Sequence, residues 1–382
     1  MNVSKFIFIF SAYLALSVVP LSADTGIMFI DEIYGIRETE NIVYGAGSTG
    51  NPASGSIDLL LDIFEPTGDN LPEKRPALVM VHGGGLTGGT KDHGYLTSLA
   101  ENFTKRGYVV VSINYRLTGD DPTLEPGPTT GDTLLNRTQN AACQDAAKAI
   151  RWLRQHAATY HIDSTRIGIA GSSAGAITTL FTAALEADTL GPDADAGVVI
   201  SLWGAMYGAE ALFDNEDGAV FLTHGTFDQV VADSESENLS AYLDSINHPH
   251  AYYPLAGAYH GSTGGDNSGW NRFYTDTVDG KTILQHSVEF AFEHLKLIEI
   301  HPAGSPLTNQ STLSHNPTAN ELTLSFLTYS GFQYIIQISD DLKTWTAQNA
   351  LTPIQGEDKT VSFTAPAPTN RRFYRIEVSP TF

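Results

Sequence analysis

A chain of 382 residues, 42% hydrophobic and only 17% charged, carries enough apolar material for a large buried core and does not have the make-up of a disordered polymer. Its length allows two domains, or one large domain with a small companion. Forty-three acidic residues against 21 basic ones leave a formal charge of -22. A field of that sign repels phosphate backbones and argues against nucleic acid as a partner, while neutral substrates are unaffected.

In chain order, the first element is a targeting segment. Lys5 supplies a positive start, residues 6–19 form a short apolar run, and Pro20-Leu-Ser-Ala23 offers a small residue for cleavage before Asp24. This is the pattern of a secretory signal peptide, residues 1–23, rather than of a membrane span. A secreted or periplasmic protein with no stable membrane insertion is expected.

Residues 57–64 alternate like an early strand, and 77–81 and 108–115 are continuous apolar runs. A helix over 96–106, closed by Gly107, fits between the last two. A longer helix is expected near 139–159, then a strand at 166–170 and a helix over 176–185. Further strands fall at 198–203, 220–224 and 251–255, with a last helix near 283–297. Apolar strands alternating with helices predict an α/β fold, a mostly parallel sheet covered on both faces, over residues 24–300. Residues 301–306, rich in proline and glycine, read as a linker. From 307 to 382 short alternating segments such as Leu322, Leu324 and Phe326 predict a small all-β, sandwich-like module.

The chemistry centres on Gly171-Ser-Ser-Ala-Gly175, placed between an apolar strand and a helix. In that context G-x-S-x-G is a nucleophile elbow, with Ser173 raised on a turn too tight for bulky neighbours. A serine needs a base, and the base an orienting acid. The expected chain order is serine, acid, histidine. Asp228, in the loop after the strand at 220–224, is the best acid, with Asp233 and Asp217 behind it. His260, between glycines in a loop, is the best base. His224 precedes the acid and so has the wrong order, while His248 and His250 are expected in a solvated turn. His82-Gly-Gly-Gly85 ends the strand at 77–81, where such a fold needs amides aimed at a tetrahedral intermediate. The backbone N–H groups of Gly84, Gly85 and Ala174 are the expected oxyanion donors, with His82 bracing the loop.

Other features read as structural. Cys143 lies in a helical pattern and is expected to be a buried, inert thiol. His156 and His161 lack zincin spacing, so no metal is expected, and no cofactor fingerprint is present. Residues 118–131 form a long loop expected to roof the site, and Trp203 and Tyr207 either line a pocket or pack. Tyr334 and Trp345 contact a polymer or fill the module's own core.

These motifs together resemble the α/β-hydrolase carboxylesterases. The likeness is carried by Val81-His-Gly-Gly-Gly85, Thr87-Gly-Gly-Thr-Lys91, Asn114-Tyr-Arg116, Ala149-Ile-Arg-Trp-Leu153, Ile162-Asp163 and the elbow, and covers about residues 55 to 300. It is similar to the bacterial feruloyl or acetyl esterases and to hormone-sensitive-lipase-like enzymes. Ser172 departs from the last group, which has an acidic residue before the nucleophile. The resemblance implies a Ser173–Asp228–His260 triad acting on a small-molecule or polymer-linked ester. Two alternatives stay open: a peptidase or amidase on the same triad, and a non-catalytic surface-binding protein working through the C-terminal module.

Overall fold

The computed structural model describes residues 4–5, 27–185, 187–297, 312–316, 321–328, 331–339, 346–347, 354–356, 360–366 and 373–381. Apart from Ser4 and Lys5, the expected signal peptide lies outside the described residues, as do the expected linker at 301–306 and Trp345. Two compact units are present, one of Tyr34–Leu295 and one of Met1–Ile33 with Lys296–Phe382.

The larger unit is built on eight strands: β1 Gly35–Thr49, β2 Gly55–Thr67, β3 Arg75–Val81, β4 Val109–Ile113, β5 Ile162–Ser172, β6 Val198–Leu202, β7 Ala219–Gly225 and β8 His250–Leu255. They lie side by side in the order β1-β2-β4-β3-β5-β6-β7-β8. Only β2 runs against the others, pairing antiparallel with both neighbours. The remaining pairs are parallel, so their carboxyl ends share one edge.

Six helices matter for the site: α1 Gly94–Thr104, α2 Leu134–Gln155, α3 Ala174–Ala184, α4 Ser234–Ser245, α5 Gly269–Thr275 and α6 Ile283–His294. Strand side chains alternate between faces. Ala77, Val79 and Val81 of β3 join the core cluster that holds Ala146, Ile150 and Leu153 of α2 and Ile177 and Leu180 of α3. The opposite face meets α6, where Phe221 of β7 lies edge-on to Phe290 at 5.7 Å. The expected α/β sheet with helices on both faces is therefore present.

Several elements differ from the sequence reading, among them the helices Ser234–Ser245 and Gly269–Thr275, which were not expected. The α2 helix starts at Leu134 because the Thr133 hydroxyl caps it, accepting from the Asn136 amide. It ends at Gln155, and a separate turn follows over Ala157–Tyr160. The long strand β1 was not expected at all.

In the smaller unit, Glu321–Leu327 lies between Thr312–Asn316 and Thr360–Pro366 in an antiparallel sheet. A second antiparallel sheet is centred on Phe332–Ser339 and Phe373–Pro380. Phe326 and Tyr334 meet at 5.7 Å and both are buried, so Tyr334 fills the core of its own unit.

Candidate active site

Ser173 follows the last residue of β5 and heads α3, at φ 55° and ψ -125°. Such backbone is costly for a non-glycine residue and persists only where neighbours impose it. The neighbours are close. A Cβ on Gly171 would sit 2.5 Å from the Gly175 carbonyl, and one on Gly175 would sit 2.1 Å from the Val81 oxygen. The elbow is thus wedged against the end of β3, and the Ser173 amide donates to Leu202 O of β6 at 3.0 Å.

His260 reaches Ser173 from the loop after β8, its Nε2 lying 2.8 Å from Ser173 Oγ. Its Nδ1 lies 2.6 Å from Asp228 Oδ2, in the loop after β7. An ionised carboxylate only accepts, so Nδ1 carries the proton and Nε2 is left to accept from the serine hydroxyl. The structure therefore brings Ser173, His260 and Asp228 into one hydrogen-bonded line. Asp233 and Asp217 are not part of it. Asp233 is the residue before α4, and Asp217 accepts from the Asp214 amide.

The Asp228 side chain is fully shielded from solvent. Burial works against its ionisation. Hydrogen bonds from His224, His260 and the Val230 and Val231 amides outweigh that and hold the carboxyl far below the usual carboxylate range.

The glycine loop lies beside the serine. A Cβ on Gly83 would fall 2.9 Å from Ser172 O and 3.1 Å from Ser173 Cβ. Gly84 and Gly85 both have positive φ, at 118° and 63°. At Gly84 a Cβ would overlap the Gly88 oxygen, so only glycine closes this turn. Ala174 opens α3, where an amide has no intrahelical acceptor. Among the described residues no acceptor takes the amides of Gly84, Gly85 or Ala174.

His82 is buried, and its Nδ1 donates to Gly83 O at 2.7 Å while its ring stacks on Tyr115 at 4.3 Å. The Tyr115 hydroxyl donates to His82 O at 2.9 Å. Burial lowers the His82 pKa to about 4, so the ring stays neutral above that pH and braces the loop. The far end of the loop is fixed by Lys91. Its ammonium meets buried Asp62 of β2 at 2.8 Å, and its amide donates to Asn114 Oδ1. Arg116, fully buried, grips Asp145 of α2 and pairs bidentately with Glu125.

Other expectations fare unevenly. Trp203 is buried and packs edge-on against His260 at 6.4 Å and Trp270 at 5.0 Å, so it supports the histidine loop. Tyr207 is 62% exposed. The loop over 118–131 is tied by Glu125, Thr129 and Thr123 to Arg116, to Asn140 of α2 and to Gly50. Those bonds seat it on the β1–β2 side of the sheet, and none of them reaches the Ser173–His260 pair. His248 is not solvated: it is buried, with Nδ1 and Nε2 facing the Asp214 and Gly218 carbonyls at 2.8 and 3.1 Å. His250 begins β8 and meets Ser240 of α4. Cys143 is buried, and burial pushes its thiol up to about 12.

Two contacts escaped the sequence reading. Gly83, not only its two successors, touches the elbow. His224, set aside for its order in the chain, lies against Asp228, and its place four residues before Asp228 at the end of β7 is the signal that marks it. Among the described residues no group of three or more histidine, cysteine, aspartate or glutamate side chains is placed to hold a metal ion, and no helix is long and apolar enough to cross a membrane.

Strand order, elbow and histidine loop define the larger unit as an α/β-hydrolase. Residues 61–197 match the BD-FAE family model, so that segment is similar to the BD-FAE group. The chain is 34% identical over 155 residues to tuliposide A-converting enzyme 2 of Tulipa gesneriana, covering 39% of this chain and 35% of that one. It is also 34% identical over 132 residues to the phenmedipham hydrolase of Pseudarthrobacter oxydans, covering 34% and 24%. The chain thus spans about a third or less of the length of these curated relatives. Among solved structures, a thermophilic esterase of Thermogutta terrifontis with propionate bound shares the fold, with a TM-score of 0.50 and 21% identity over 70% of this chain and 95% of that one.

Proposed function

We propose that this protein is a secreted serine carboxylesterase with Ser173, His260 and Asp228 as its triad. The observation that carries the reading is the unbroken line from Asp228 through His260 to Ser173, at 2.6 and 2.8 Å, on a backbone held in the elbow conformation. Ser173 Oγ attacks the ester carbonyl as His260 Nε2 takes its proton. The tetrahedral oxyanion is met by the amides of Gly84, Gly85 and Ala174. The C–O bond to the alcohol then breaks, and His260 returns the proton to the departing oxygen. Water repeats the sequence in reverse and frees the acid. The family match and the hydrolase among the curated relatives support an ester substrate. Short-chain acyl, acetylated-sugar, feruloyl and polyester-type esters are the classes to compare.

Ser173→Ala is expected to fold like the wild type and to lose at least about a thousandfold in kcat on a nitrophenyl ester. A serine-directed phosphonate should leave one adduct, on Ser173, in the wild-type protein. An unlabelled wild type, or a Ser173→Ala variant at full rate, would discard the triad.

A further inference from the structure

The triad aspartate has a second imidazole on it. His224, the sixth residue of β7, is fully buried, and its Nε2 lies 3.2 Å from Asp228 Oδ2, the same oxygen that His260 Nδ1 approaches at 2.6 Å. Nε2 also lies 3.0 Å from Val231 O, and Nδ1 lies 2.8 Å from Ser236 Oγ of α4. A carbonyl and a carboxylate can only accept, so both Nε2 contacts require the proton on Nε2. Nδ1 is then the acceptor for the Ser236 hydroxyl. The three partners leave the ring one tautomer and one orientation.

Resting on the triad reading above, we propose that His224 is a positioning residue: it donates to Asp228 Oδ2, fixes the carboxylate in the plane His260 needs, and shares the charge that His260 would otherwise draw on alone. Asp228 then has a full set of donors. Oδ1 takes the Val230 and Val231 amides at 2.8 and 3.0 Å, and Oδ2 takes His260 Nδ1 at 2.6 Å with His224 Nε2 beside it at 3.2 Å, an N–H it shares with Val231 O. Ser236 links this arrangement to α4, so the helix that covers β7 also sets the acid. The other titratable groups facing the cluster are Tyr207, within electrostatic reach of Asp228, and Glu235, which accepts from the Tyr207 amide. His260 itself faces Ser173 and the neutral ring of Trp203.

The sign of the effect follows from the charge. A carboxylate that loses one donor attracts an imidazolium more strongly, so removing His224 raises the proton affinity of His260. In His224→Leu the acid limb of kcat/KM for nitrophenyl acetate should move to higher pH. Its kcat should fall roughly ten- to hundredfold, the usual cost of losing an orienting partner, with KM little changed. His224→Gln, which can place an amide N–H near the lost donor, should recover part of kcat and bring the limb back toward wild type. A purely structural histidine would lower the melting temperature and leave the limb where it was. The wild type supplies a test that no folding failure can cloud. In protein labelled with nitrogen-15 histidine, His224 should be the Nε2–H tautomer. The Nδ1–H tautomer, or a His224→Leu enzyme with an unmoved acid limb, would overturn the proposal. The phosphonate adduct on wild-type Ser173 keeps this test separate from the triad's own: with the adduct formed, either result removes only the brace.

Discussion

Two glycines a few ångströms apart serve different ends. At Gly175 an added methyl would lie 2.1 Å from a main-chain oxygen of β3, which cannot move without the strand. Gly175→Ala should therefore cost at least about 2 kcal/mol of stability, read as a lower melting temperature and a poor yield of folded protein. At Gly83 the methyl would press on Ser172 O and Ser173 Cβ at 2.9 and 3.1 Å, a milder overlap than at Gly175 that must still be taken up by the elbow's own backbone. Gly83→Ala should keep its melting temperature within a few degrees yet turn over roughly ten- to hundredfold more slowly, because the shift is made by the nucleophile. Equal losses of stability in the two variants would remove this distinction. The pattern G-x-S-x-G shows Gly175 plainly, since the tight turn is local. It is silent on Gly83, because contact across β3 and β5 is not written in either segment.

At the scale of elements, the sheet's own pairing holds the glycine loop. The Lys91–Asp62 pair joins that loop to β2 with both side chains almost wholly buried. Asp62 Oδ1 also takes the Asn41 amide at 2.7 Å, from the bulged part of β1. Lys91→Met leaves a buried carboxylate with one donor fewer and should cost about 3–5 kcal/mol. Lys91→Met combined with Asp62→Leu should recover much of that, and additive losses in the double-mutant cycle would show that the pair does not couple.

The same elements show what a sequence exposes. Strands β3, β4 and β7 are buried along their whole length and read as unbroken apolar runs. Strand β1 is mostly exposed, pairs through its backbone along one edge and carries a bulge, so neither an apolar run nor a clean alternation marks it. Helix α4, Ser-Glu-Ser-Glu-Asn-Leu-Ser-Ala-Tyr-Leu-Asp-Ser, buries only Ser236, Leu239 and Leu243 and gives too thin a stripe to stand out. For that reason Ser236, and with it the surroundings of His224, was hidden. His248 was hidden for another reason: its two carbonyl partners come from a turn 30 and 34 residues upstream.

For the molecule as a whole, the proposal of export rests on residues 1–23, a short apolar run behind Lys5 with a small residue, Ala23, before Asp24. Expressed in full in a bacterial host, the protein should be recovered from the periplasm or medium with an N-terminus at Asp24. Intact protein beginning at Met1 and confined to the cytoplasm would refute the leader.

The proposed triad draws on three strands, β5, β7 and β8, with Ser173 and His260 separated by 87 residues and His260 and Asp228 by 32. No local fragment of the chain can assemble it. The base hangs from β8, the last strand of the sheet, which has a paired neighbour on one side only. Turnover is therefore a gauge of long-range assembly: in refolding, helix content can return first, and hydrolysis starts only once the outermost strand has docked.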